Sequence, residues 1–110
     1  MAYFGENAIH MWVNASGYGT PSARDSYNLD SISDNGTGDF TLNFTNASSN
    51  ANYCVLGSNI GATDSYYSMP FAFGTYSLGT GNVRVKTPAM SDLTTMQDVD
   101  VFHVCVISDT

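Results

Sequence analysis

The chain has 110 residues and a formal charge of −7, with only three basic side chains, Arg24, Arg84 and Lys86, against ten acidic ones. Charged residues make up 12% of the chain, where roughly 25% is usual, and Ser, Thr, Asn and Gly together supply 44 of the 110 positions. So few cations argue against neutralising a nucleic-acid backbone or docking on anionic lipid, and no apolar run approaches the roughly 18 residues of a membrane span.

The N-terminal stretch MAYFGENAIH has neither a basic region nor an apolar core, so no secretory signal is expected. The first strand pattern follows at Ile9 to Asn14, with Ile9, Met11 and Val13 on one face and Trp12 on the other. Gly17, Tyr18 and Gly19 with Pro21 mark a turn. Tyr27 to Ser33 reads as a second strand. Asn35-Gly36 then gives the strongest hairpin signal, because that dipeptide tolerates positive φ. Asp39 to Thr45 alternates, with Phe40, Leu42 and Phe44 inward and Thr41, Asn43 and Thr45 outward.

Ala51 to Ser58 and Tyr67 to Tyr76 read as two further strands. Beyond the Gly79-Thr80-Gly81 turn, Asn82 to Thr87 alternates again and sets Arg84 and Lys86 on one outward face. Ser91 to Gln97 could form one short helical turn capped by Ser91. Val99 to Ile107 is apolar on both faces. Such a strand is central, or is held between a core and a subunit contact. About seven short strands with regular turns predict a single all-β domain over residues 1–110, an antiparallel β-sandwich of jelly-roll-like or immunoglobulin-like topology.

Chemistry-bearing residues are sparse. His10 and His103 fall inside strands and read as packed, hydrogen-bonded residues rather than bases or ligands. Cys54 and Cys105 belong to no metal or redox motif. They read as small buried hydrophobes, with an inter-strand disulfide and a reactive thiol as alternatives. The Asp34 to Asp39 segment has the residue types of a calcium loop but fits no such spacing, so a plain hairpin explains it. No catalytic motif, metal site or cofactor is expected, and nothing points to a Ser-His-Asp constellation. Four Asn-x-Ser/Thr sequons, at Asn14, Asn35, Asn43 and Asn46, are what an Asn-, Ser- and Thr-rich chain produces by chance.

The richest segment is DSYYSMPFAFGTY. Tyr66, Tyr67, Phe71, Phe73 and Tyr76 gather five aromatics there. Exposed, they would suit sugar stacking or a subunit contact; buried, they would be core.

The segments from Trp12-Val13-Asn14 through Arg24-Asp25-Ser26-Tyr27-Asn28-Leu29 and SISDNGTGDFTLNF to Ala51-Asn52-Tyr53-Cys54-Val55 resemble a β-rich module of marine bacteriophage virion surface proteins. That module is found at tail-fibre tips and on other surface projections. The resemblance covers roughly residues 12 to 55. It departs from the usual pattern at Ser16 to Thr20, where a longer Gly-Thr-Gly turn is common, and Cys54 is not a family feature.

The resemblance implies a virion structural protein without enzymatic activity, assembled as a homotrimer and contacting other virion proteins. Read as a complete short chain from Met1, it fits a capsid decoration, cement or head-fibre subunit. The alternative is a tail-fibre tip that binds host surface polysaccharide through the Tyr66 to Tyr76 region. Arg24, Arg84 and Lys86 are candidate subunit contacts, because scarce cations suit specific acidic partners.

Overall fold

The computed structural model describes residues 9–60, 74–87, 96 and 99–108. They form eight strands and no helix: β1 (Ile9–Ser16), β2 (Ser22–Tyr27), β3 (Leu29–Gly36), β4 (Asp39–Phe44), β5 (Cys54–Ile60), β6 (Gly74–Leu78), β7 (Asn82–Lys86) and β8 (Val101–Ile107). Two four-stranded antiparallel sheets result, the first in the order β2-β1-β8-β5 and the second in the order β3-β4-β7-β6. Their packing makes a β-sandwich, as the alternating patterns predict.

Alternation is the local cause of the sandwich. A strand sends successive side chains to opposite faces, so every second apolar residue of β1, β4, β7 and β8 meets the facing sheet. Met11, Val13, Ala15, Phe102, Val104 and Val106 come from the first sheet. Phe40, Leu42, Phe44, Val83 and Val85 come from the second, and all are buried. Phe40 and Phe102 stack across the sandwich with ring centroids 4.8 Å apart and planes 11° from parallel. A buried aromatic pair of this kind adds about 0.5–1.5 kcal/mol beyond its area.

The expected strand over Tyr27 to Ser33 is in fact two strands in different sheets. Asn28 lies between them with φ of 58°, a left-handed conformation that Asn adopts more readily than most residues. Its side chain repays that strain. The amide donates to the His10 carbonyl at 2.8 Å and to the Asn46 carbonyl at 3.2 Å, while Oδ1 accepts from the Asn46 backbone at 2.8 Å. One corner residue therefore ties the start of β1 to the loop after β4.

Two further differences come from backbone irregularities. The β3–β4 hairpin turns at Thr37 and Gly38, with Gly36 paired to Asp39, rather than at Asn35-Gly36. Gly38 has φ of 62° and Gly36 of 134°, so glycines supply both backbone conformations closed to most residues. A register shift between Ile9 and Met11 turns His10 inward, although its position beside Trp12 predicted the less apolar face. His10 is buried and meets the Phe44 ring edge-on at 4.9 Å. The proposed helical turn at Ser91 to Gln97 lies outside the described residues, apart from Met96.

Candidate functional site

The register of the first sheet aligns residues from all four strands on its outer face. Tyr27, Trp12, Cys105 and Leu56 form one row running from β2 to β5. Strands lie about 4.8 Å apart, so this row crosses about 14 Å of sheet. Trp12 is 36% exposed, Tyr27 56% and Leu56 57%. On one side lies a shorter row of Ile9, Ile107 and Cys54. On the other, about 7 Å along the strands, lies a polar row of Asp25, Asn14, His103 and Ser58.

Between the aromatic and polar rows runs an open groove of about 440 Å³, bordered by the side chains of Trp12, Asn14, Leu56, Ser58, His103 and Cys105. Ser58 Oγ and His103 Nδ1 are 3.1 Å apart, which leaves Nε2 as the ring atom open to a ligand. Asn14 Oδ1 is shielded from solvent and has no hydrogen-bond partner among the described residues. An unpaired buried acceptor costs about 1–3 kcal/mol, and most such groups in folded proteins find a partner.

The outer face of the second sheet is built differently. Asn43 donates to Ser31 Oγ at 3.1 Å and Ser33 Oγ at 3.0 Å, and Asn35 donates to Thr41 Oγ1 at 2.7 Å. Arg84 grips Asp39 through two bonds, Nε to Oδ1 at 2.8 Å and an Nη2 to Oδ2 contact at 2.7 Å. Lys86 Nζ lies 4.0 Å from the same carboxylate. The Arg84 hydrogen bonds hold the Asp39 carboxyl below its ordinary pKa. Partial burial works against this, while the charge of Arg84, the Asn35 hydrogen bond and the charge of Lys86 reinforce it.

The candidate residues drawn from sequence thus divide into three groups. Arg84 and Lys86 do share an outward face, but they find an acidic partner, Asp39, within the chain itself. Arg24 is exposed on the edge strand β2. It is the extra residue of a bulge, because Asn14 pairs with Asp25 and Ala15 with Ala23. Tyr66, Tyr67, Phe71 and Phe73 lie outside the described residues, and of Tyr76 only the backbone, within β6, is described.

The cysteines correct an expectation. Both are free, Cys54 exposed and Cys105 half-buried, so neither is a core hydrophobe. In β8 the even-numbered residues face the core, which leaves His103 and Cys105 on the outer face. Burial pushes the Cys105 thiol up from its ordinary pKa, which makes it a poor nucleophile. The Asp34 to Asp39 segment spends its polar groups on the hairpin, with Asp34 Oδ1 accepting from the Gly36 backbone at 3.1 Å.

Asn14 and Leu56 escaped sequence reasoning as site residues, and Tyr27 was only part of a strand. The signals available were Trp12 opposite the Met11–Val13 face and the two-faced apolar pattern of β8. The chain matches no protein-family model, no curated protein and no solved structure.

Proposed function

We propose that the chain is a structural subunit on the surface of a bacteriophage particle, of the capsid decoration or head-fibre kind, assembled as a homotrimer. One observation carries this reading. The β2–β3 wing, within the phage-like stretch, exposes nearly all its residues on both strand faces. A sandwich strand ordinarily buries one face, so this wing has surface to spend on a neighbour. The sparse charge agrees, because such a surface lacks the interspersed ions that keep monomers apart.

The Arg24 bulge refines the kind of contact. A bulge on an edge strand interrupts strand-to-strand pairing. Contact at this edge therefore runs through side chains, with the Arg24 guanidinium reaching a carboxylate of the next subunit. No membrane insertion or nucleic-acid contact belongs to this reading.

Light scattering coupled to gel filtration tests it. A mass three times that of the chain is expected, falling to the monomer mass in Arg24→Glu without loss of the β-sheet circular dichroism signal. A wild-type monomer at micromolar concentration would contradict the proposal. Electron cryo-microscopy of a particle carrying the protein would then separate capsid from tail.

A further inference from the structure

We propose that the groove on the outer face of the first sheet is a binding site for an uncharged saccharide chain. The groove has two unlike walls. Trp12 and Leu56 belong to a row that offers apolar surface to the C–H faces of sugar rings. Asn14, His103 and Ser58 offer amide, imidazole and hydroxyl groups about 7 Å away. A pyranose has the matching character, apolar on its ring faces and rimmed with hydroxyls that both donate and accept.

Asn14 is the most telling residue. Among the described residues, its acceptor has no hydrogen-bond partner. A half-turn of the amide exchanges Oδ1 and Nδ2, so the side chain can present an acceptor or a donor to a hydroxyl. At about 440 Å³ the groove falls within the usual range of ligand sites, roughly 300–1,000 Å³. It is open to solvent, and that shape suits a chain lying across the sheet.

Charge narrows the ligand class. The protein carries −7, Asp25 stands in the polar row, and no Lys or Arg borders the groove. A sulfated or uronate-rich glycan would meet repulsion with no compensating cation. A second copy of the chain is a poorer occupant, since it would have to cover the polar row as well as the apolar one. The groove lining comes from β1, β5 and β8 and includes no residue of β2 or β3.

Trp12 is the only tryptophan, so its fluorescence reports on this groove alone. Titration with cellohexaose, maltohexaose or mannohexaose is expected to shift its emission to shorter wavelength in the millimolar range for at least one of them, with no shift for dextran sulfate. Asn14→Ala should weaken that binding about tenfold while leaving the melting temperature unchanged or higher. Three results would each overturn the proposal. One is no response to any of the three neutral oligosaccharides. Another is equal binding by wild type and Asn14→Ala. The last is a Trp12 blue shift that appears on concentrating the protein without sugar, which would assign the face to another copy.

Discussion

The two outer faces of this sandwich come from the same amino-acid vocabulary but differ in how fully they pair their polar groups, since the first joins Ser58 to His103 yet leaves Asn14 Oδ1 without a partner among the described residues. On the second sheet, Asn43, Asn35, Arg84 and Asp39 bond to one another and to neighbouring Ser and Thr side chains. On the first, Asn14 holds an unsatisfied acceptor beside a row of exposed Trp, Tyr and Leu. A face that satisfies itself has only its solvated rim to give a partner. A face that leaves an acceptor unpaired and apolar rings exposed carries a cost that a ligand would recover once the Asn14 amide turns toward it. The proposed saccharide site on β1, β8 and β5 rests on this contrast, which neither composition nor a single strand would have revealed.

The largest effect should remove the scaffold both faces share. Phe102→Ala breaks the stack with Phe40 and opens a cavity between the sheets, at a cost of about 3–5 kcal/mol. Urea denaturation checks this. Because one core supports both sheets, Trp12 fluorescence and far-ultraviolet circular dichroism should report the same midpoint. Separate midpoints would mean that the faces are not coupled through the core.

A smaller effect belongs to the second face alone. Arg84→Met removes the bidentate partner of Asp39, and the partly exposed pair should cost about 1–2 kcal/mol at neutral pH. The pH dependence sharpens the assignment. Asp39 has a folded-state pKa below its ordinary value of 3.8. Its contribution is therefore fully present above 3.8, and it is lost as pH falls below that value through the folded pKa. Wild type should lose this increment on acidification, and Arg84→Met should show a flatter acid limb. Equal acid sensitivity of the two proteins would place the stabilising carboxylate elsewhere.

Much of the fold was legible because burial writes period-two alternation into β1, β4, β7 and β8. The rest was hidden for local reasons. β2 is exposed on both faces, so it has no alternation to read. Asn28 breaks the chain between sheets by a single left-handed residue that looks like any other Asn in a polar stretch. His10 changed faces through one irregularity in register, and the hairpin turn moved to Thr37 and Gly38 because a bulge absorbed Asn35. The groove was least legible of all. Trp12, Leu56 and His103 lie far apart in sequence and meet only through the pairing of β1 and β5 with β8. Asn14 looked like a sequon, with nothing to distinguish its amide from that of Asn43.

Those two asparagines provide the most direct test. Both lie in strands, so replacing each by Ala changes strand propensity alike, and the difference between them isolates what each amide does. Asn43→Ala should lose about 1 kcal/mol in chemical denaturation, since its bonds to Ser31 and Ser33 disappear. Asn14→Ala should cost nothing within about 0.5 kcal/mol, or should stabilise, because it deletes an acceptor that has no partner among the described residues. If Asn14→Ala proves as destabilising as Asn43→Ala, the amide is already spent inside the protein and the first sheet is not the face held ready for a ligand.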